Sequence, residues 1–311
     1  MVQTVAFGRT GLQVSRLGFG GGPIGFLKTE RERVATMLNV MLDSGVNLID
    51  TAAAYEGSEE VIGAVIGHRR SEYVLVSKCG RKLPDLDGDD WSASLVGKTV
   101  DRALRRLRTD HLDVMLLHSC DLATLRRGEA LGALAAAQQT GKVHWIGYSG
   151  DNEAAAWAAA RPEVAVIQTS INICDQANIG LVLPVTREHN VGVLAKRPVA
   201  NAAWKDIATQ PGIYQGYVKT YTSRLRQTNL TPSALGFVGD PAQVWPALAL
   251  RFALSQPGVH TAIVGTTDSR NAKANIAVAE QGPLSAAVVE RIRDAFRQAE
   301  RASRAAWTGQ T

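Results

Sequence analysis

The chain is poor in cysteine, in long apolar runs and in charge imbalance. Cys79, Cys120 and Cys174 are its three cysteines in 311 residues. The count is odd and the spacing matches no metal-ligand pattern. That argues against a disulfide scaffold and leads to the expectation of free thiols in a reducing cytoplasm, with no metal site. No apolar run reaches the roughly 18 residues that a transmembrane helix needs. The N-terminal segment lacks a charged, apolar, small-residue leader, so no signal peptide is expected. Basic residues number 34 and acidic residues 29, a formal charge of +5. The basic clusters, Arg105, Arg106 and Arg108, then Arg126 and Arg127, fall inside helical patterns. They read as solvated helix faces rather than as a nucleic-acid surface.

What is present is a globular composition, 45% hydrophobic, in a chain long enough to bury a full core. Apolar strand-like runs alternate with amphipathic helices. Strands are expected at Leu17–Gly20, Val46–Asp50, Tyr73–Lys78, Leu112–His118, Val143–Tyr148, Val164–Gln168, Val191–Ala195 and His260–Val264. Helices are expected at Glu30–Leu42, Ser58–Ile66 (with Ser58 as N-cap), Ser92–Leu107, Ala130–Gln138, Asn152–Ala160, Ile179–His189, Ala242–Ser255, Asp268–Ala279 and Ser285–Ala299. Strands that are apolar throughout imply a parallel sheet covered on its outer face. Eight strand–helix units fit a closed (β/α)8 TIM barrel, read as a single domain over residues 1–311.

Thr4–Val14, with Gly8-Arg9-Thr10-Gly11 at its centre, reads as a β-hairpin capping the barrel's bottom. One long irregular segment, from about Val199 to Pro241, follows the seventh strand and reads as a binding loop. Gly20-Gly21-Gly22-Pro23-Ile24-Gly25 fits G-x-G-x-x-G literally. A dinucleotide fold would need the helix to open within the glycines. Pro23, and a helix expected only near Glu30, point instead to a tight loop that brings Gly21 and Gly22 close to a cofactor or substrate.

In such barrels reactive groups lie at the C-terminal ends of the strands. The second strand ends in Asp50, with Tyr55 in the loop beyond; the third ends in Lys78 and the fourth in His118. A neighbouring ammonium favours a phenolate, so Lys78, held by Asp50, would suit Tyr55 to proton transfer. His118 would donate a hydrogen bond to the same substrate oxygen. The set lacks an electron source, which a nicotinamide hydride would supply.

At these residues the chain resembles the aldo-keto reductases. The matching stretches are Gly8 to Ser15 with Leu17 to Gly20, Asp50-Thr51-Ala52-Ala53-Ala54-Tyr55 with Ser58 to Gly63, Val76-Ser77-Lys78, and Asp113 to His118. Gly141-Lys142-Val143 with Ile146 to Ser149, and Leu250-Arg251-Phe252, complete the series. The resemblance implies Tyr55 as general acid/base, with Asp50, Lys78 and His118 as partners. It implies NADPH bound across the barrel mouth and reversible carbonyl reduction.

It also implies that Ser149 and Gln168 touch the cofactor's carboxamide. Gly150 replaces the usual asparagine, and Asp151 and Asn152 read as helix-capping residues rather than its substitutes. Lys196-Arg197-Pro198 stand where the family usually stacks a tyrosine on the nicotinamide; they either cover the ring or contact the pyrophosphate. Gly265, Thr266, Thr267 and Arg270, with Lys273 as a further basic residue, fit a phosphate site at a helix start. Asn275 matches an adenine contact. Asp268 opposes the phosphate, so NADP(H) is preferred and NAD(H) remains open. Ile24, Phe26, Trp91, Cys120 and Trp204 are substrate-pocket candidates. Cys79 and Cys120 read as packing residues. The expected function is NADPH-dependent reduction of small aldehydes or ketones. The alternatives are an NAD-preferring sugar or polyol dehydrogenase, a nucleotide-sensing regulatory subunit, or an aldolase-type barrel with Lys78 as Schiff base.

Overall fold

The computed structural model describes residues 1–210 and 212–310, so Pro211 and Thr311 of the expected domain lie outside the described residues. A hairpin, β1 (Thr4–Ala6) and β2 (Gln13–Ser15), pairs antiparallel with Val5 opposite Val14. Eight strands then follow: β3 (Leu17–Gly20), β4 (Leu48–Asp50), β5 (Val74–Cys79), β6 (Leu112–His118), β7 (Val143–Ser149), β8 (Val164–Ser170), β9 (Gly192–Lys196) and β10 (Thr261–Val264). They form a closed barrel, each strand parallel to its neighbours, with β10 returning to β3.

Helices cover the outside. The first group is α1 (Gly22–Phe26), α2 (Arg31–Asp43), α3 (Ser58–Ile66), α4 (Ala93–Leu107), α5 (Leu122–Arg127) and α6 (Glu129–Gln139). The second is α7 (Asn152–Ala159), α8 (Ala177–Leu181), α9 (Leu183–Glu188), α10 (Gly212–Thr228), α11 (Pro241–Leu254), α12 (Ser269–Glu280) and α13 (Ala286–Ser303). No helix among the described residues is long and apolar enough to cross a membrane.

The period of two along each strand divides the core in two. Leu48, Val76, Leu116, Val166 and Leu194 face the barrel interior, where Phe7 of the hairpin joins them. The alternate residues, such as Ile49, Leu75, Met115 and Leu117, meet the helices in a larger cluster. The hairpin closes the bottom as expected. Phe7 is fully buried, and the Arg9 guanidinium donates to the carbonyls of His189, Pro162 and Val164 at 2.6, 3.0 and 2.6 Å.

Several elements depart from the sequence reading for local reasons. Ser58 is not a cap: Gly57 takes that position. The Ser58 hydroxyl instead donates to the Gly21 carbonyl at 3.1 Å and bonds the Thr51 hydroxyl at 2.9 Å, joining the loops after β3 and β4. The helix expected over Ile179–His189 is divided into α8 and α9, because Pro184 lies in the first turn of α9 and has no N–H to continue a helix. A short helix, α1, does open within the glycine run; it is the closed barrel, not the absence of that helix, that excludes the dinucleotide-fold reading.

The long segment after β9 is not irregular throughout. It holds α10, whose Val218, Tyr221 and Leu225 form a buried face at helical spacing. At the bottom of the barrel the fold also brings donor atoms of His111, Asp113 and His144 within 4.8 Å of one another, which chain spacing did not suggest. Asp113 there accepts from Arg70 and from the Leu75 amide, both at 2.7 Å.

Candidate active site

The inner face of the barrel ends in polar residues. Two positions beyond Leu48, Val76, Leu116, Val166 and Leu194 come Asp50, Lys78, His118, Gln168 and Lys196. Strand alternation therefore places all five on the inward face at the C-terminal rim. Lys78 and Asp50 are 1% and 2% exposed. The Lys78 ammonium donates to both Asp50 carboxylate oxygens at 2.8 Å and to the Thr51 carbonyl at 2.7 Å. Burial opposes its charge, but Asp50 and the Tyr55 phenol outweigh burial and raise the Lys78 pKa above its ordinary value. Burial pushes the Asp50 carboxyl up, against the pull of Lys78 and Gln168.

Tyr55 sits on a turn just past β4. The Thr51 and Ala53 amides extend the sheet ladder onto the carbonyls of Val76 and Lys78 at 2.8 and 3.1 Å, and the Tyr55 amide then closes on Ala52 at 2.9 Å. This brings the Tyr55 ring to 5.0 Å from the Lys78 ammonium, measured to the ring centroid. The His118 ring stands edge-on to Tyr55 at 5.9 Å between centroids, and the Phe26 ring does so at 5.1 Å. The His118 pKa is driven well below its ordinary value, first by burial and then by Lys78, Arg81, Lys196 and Arg197. The imidazole is therefore neutral at neutral pH and keeps one N–H to donate.

The structure assembles part of the expected cofactor set. Ser149 donates to the Gln168 side-chain carbonyl at 3.0 Å, and the Gln168 amide donates to Asp50 at 2.7 Å. A chain of polar groups thus runs Ser149–Gln168–Asp50–Lys78. Gly150 has no room for a side chain, since a Cβ there would lie 2.3 Å from the Tyr148 hydroxyl. Asp151 stands at the N-cap position of α7 but does not cap it. Its buried carboxylate instead accepts from Thr169, the Ser170 amide and Asn178 at 2.7–2.8 Å, and pairs with Lys196 at 2.9 Å. Lys196 and the Ser170 amide hold that carboxyl below its usual range despite burial.

Asn152 pairs reciprocally with the backbone of Gly309, at 2.7 and 3.0 Å. Arg197, in the left-handed region at φ 54°, donates to Ser170 and to the Gln310 carbonyl. Pro198 behind it is buried.

Across the mouth, Gly265, Thr266 and Thr267 lead into α12. Asp268 caps that helix by accepting from the Arg270 amide at 2.8 Å and pairs with the exposed Arg270 guanidinium at 2.7 Å. Arg33 of α2 donates to the Thr267 carbonyl at 3.2 Å. Sequence reasoning missed Arg33, because only closure of β10 onto β3 brings α2 beside this loop. Asn275 lies half-buried further along α12.

Among the pocket candidates, Phe26 stands at Tyr55, while Ile24 packs into the outer core. Trp91 and Cys120 line one cavity of about 400 Å³ with Arg81, whose guanidinium donates to the His118 carbonyl at 3.0 Å. Trp204 stacks on Trp245 at 5.9 Å between ring centroids. Burial raises the Cys79 and Cys120 thiols, Cys120 to about 12, so both are packing groups rather than thiolates.

The sequence model described as the Aldo/keto reductase family matches residues 16–297. The chain is 26% identical over 291 residues to L-galactose dehydrogenase of Arabidopsis thaliana, covering 89% of this chain and 88% of the relative. It is 24% identical over 309 residues to NADH-specific methylglyoxal reductase of Escherichia coli, covering 89% and 93%. The holo form of aldo-keto reductase AKR11C1 from Bacillus halodurans matches the structure with a TM-score of 0.79 at 25% identity, covering 95% and 96% of the two chains.

A further buried ion pair braces the Tyr55 loop. Arg102 of α4 reaches the Ala53 carbonyl at 3.4 Å, Glu59 at 3.4 Å and Asp85 at 2.8 Å, while Glu59 accepts from Ser77 at 2.7 Å. Its sequence signal is a charged residue on the buried face of each of two helices: Glu59 beside Ile62 and Ile66, and Arg102 beside Leu95 and Thr99.

Burial raises the Glu59 pKa from 4.5 to about 6. Its contribution to stability is therefore full below pH 4.5 and is lost as the pH rises through about 6. Urea unfolding of wild type and Glu59→Gln should show wild type losing about 2 kcal/mol relative to the variant between those limits. A flat difference, or one of opposite sign, would contradict the assignment.

Proposed function

The chain belongs to the aldo/keto reductase family and is an NAD(P)H-dependent oxidoreductase, and from that premise we propose that it reduces aldehyde or ketone carbonyls to alcohols with NADPH. The carrying observation is the Tyr55 phenol flanked by the buried Lys78–Asp50 pair on one side and the His118 imidazole on the other. We read the whole chain, residues 1–311, as the catalytic unit. Its buried free cysteines suit the cytoplasm.

The rim suits a nicotinamide dinucleotide. Ser149 and Gln168 offer a hydroxyl and an amide, with Gly21 and Gly22 opposite them at the end of β3, for the nicotinamide end. Lys196 at the end of β9, with Arg197 and Pro198 just beyond it, would form a wall of the cofactor site. Gly265 to Thr267, at the start of α12 with Arg270 and Arg33 alongside, offer amides and guanidinium groups for phosphate. When bound, the reduced nicotinamide supplies a hydride to the carbonyl carbon.

The chain's own residues handle the proton and the charge. Tyr55 gives its phenolic proton to the substrate oxygen, and the negative charge left on Tyr55 faces the Lys78 ammonium in a site of low dielectric. Asp50 fixes that ammonium in place and keeps it protonated. Neutral His118 donates its N–H to the same substrate oxygen as charge builds there. Phe26, with Trp91 and Cys120 beside His118, forms the apolar side of the substrate space.

NADPH rather than NADH rests on Arg270, which a 2′-phosphate would draw away from Asp268. Arg270→Ala should weaken NADPH binding roughly three- to tenfold and NADH binding hardly at all. Equal losses in fluorescence titrations would reject the phosphate contact. Tyr55→Phe should cut carbonyl reduction by about a hundredfold or more with cofactor affinity unchanged. Turnover near the wild-type rate would reject Tyr55 as the acid.

A further inference from the structure

The other end of the barrel gathers three groups that carbonyl chemistry does not use. β6 and β7 pair in parallel, with Leu112 opposite Val143 and Val114 opposite Trp145. Asp113 and His144 are therefore neighbours on one face of the sheet, and alternation puts His111, two residues before Asp113, on the same side. The donor atoms of the three lie within 4.8 Å of one another, and the two imidazoles stack at 4.3 Å and 19°. Asp113 is 8% exposed. Its Oδ2 accepts from the Arg70 guanidinium and the Leu75 amide, both at 2.7 Å. Its Oδ1 has no hydrogen bond among the described residues and stands 4.0 Å from His144 Nδ1. His111 Nδ1 lies 2.7 Å from the Asp110 carboxylate. An imidazole that donates one N–H to a carboxylate carries its lone pair on the other nitrogen, which is how metal-bound histidines are commonly held.

We propose that His111, Asp113 and His144 bind one divalent transition-metal ion of the zinc type, with water completing its coordination. Two imidazoles and one carboxylate suit zinc and its neighbours, whereas magnesium and calcium call for oxygen ligands throughout. Nitrogen and oxygen ligands lie about 2.0–2.2 Å from zinc, so two of them in a tetrahedron stand roughly 3.3–3.6 Å apart. The three donor atoms are spaced somewhat wider than that, and the set closes by a turn of the His144 ring, whose side chain is 46% exposed. His111 and Asp113 line a cavity of about 650 Å³, which gives the ion and its water a way in. Arg70 is occupied by Asp113 Oδ2, the Thr109 hydroxyl and the Tyr73 carbonyl, so it orients the carboxylate, while Asp110 adds a second negative charge for the ion. Sequence pointed away from a metal because its cysteines lack ligand spacing; this set uses no cysteine and draws on two strands. Five residues of β6 separate Asp113 from His118, about 16 Å of strand. The ion therefore takes no part in carbonyl reduction and instead ties β6 to β7 at the bottom of the barrel. The inference is independent of the reductase reading.

The test is equilibrium dialysis of the full chain, free of any histidine tag, against zinc alone, with cobalt(II) as a spectroscopic stand-in. Wild type is compared with His144→Ala, which removes a half-exposed ligand, and with Asp110→Ala, which removes the exposed carboxylate behind His111. An unchanged NADPH titration at the far end of the barrel certifies the fold of each variant. The expected result is saturable uptake of one zinc per chain, weakened tenfold or more in His144→Ala and about tenfold in Asp110→Ala. Magnesium at the same concentration should not displace the zinc, and the visible absorption of bound cobalt should appear in wild type and vanish in His144→Ala. No saturable uptake by wild type, equal affinity in wild type and both variants, or displacement by equimolar magnesium overturns the inference and leaves the reductase reading untouched.

Discussion

A lysine ammonium that is only 1% exposed persists only where other groups replace the water it has lost. Taking such an ion out of water costs several kcal/mol even after relaxation, and a single misplaced partner leaves that cost unmet. Lys78 meets the requirement with both oxygens of Asp50 and the Thr51 carbonyl. These groups come from β4 and β5 and from the loop between β4 and α3, so the ion pair ties the rim to the turn that carries Tyr55. Gln168 and Ser149 extend the constraint across the barrel, because Gln168 bonds Asp50 from β8 and Ser149 bonds Gln168 from β7. The geometry of the candidate site is thus a consequence of satisfying one buried charge.

The scaffold supports this arrangement from beneath and from the side. The apolar interior below the rim excludes water and lowers the local dielectric, which strengthens every interaction among the rim groups. Glu59 and Arg102 hold the outer side of the Tyr55 loop, joining α3 and α4 to β5 through Ser77. On the far side of the mouth, Asp151 gathers Thr169, Ser170, Asn178 and Lys196 into a second buried cluster. That cluster fixes Lys196 close enough to help keep His118 neutral. Two buried carboxylate–lysine pairs on opposite sides of one barrel mouth, Asp50 with Lys78 and Asp151 with Lys196, leave the space between them strongly polarised.

The strands, and Asp50, Lys78 and His118 at their ends, were legible because apolar runs marked the strands and the C-terminal ends of such strands form the rim. Tyr55 lies in the loop beyond β4, where its distance from Asp50 and the resemblance to the family marked it. What sequence could not show depended on closure in three dimensions. Asp151 has capping chemistry and a capping position, yet Thr169, Ser170, Asn178 and Lys196 reach it from three separate parts of the chain, and their combined pull outweighs one helix amide. Arg33 reaches the loop after β10 only because the barrel's last strand returns to its first. Ser58 looked like a cap but serves as a link between two loops, since Gly57 can take the left-handed turn before α3 at no steric cost. The helix α10 was hidden by its Gly, Thr and Tyr content, which lowers helix propensity, although its buried face is visible at Val218, Tyr221 and Leu225.

On the proposed mechanism the Lys78–Asp50 pair stabilises charge on Tyr55 rather than the fold. Its most direct test is single-turnover oxidation of bound NADPH by a saturating carbonyl substrate, in wild type and in the paired variant Lys78→Met with Asp50→Asn, which removes both charges together and leaves neither buried alone. The expected result is a fall of about a hundredfold or more in the hydride-transfer step, with the protein folded and NADPH affinity retained. A paired variant that transfers hydride within a few-fold of the wild-type rate would contradict it.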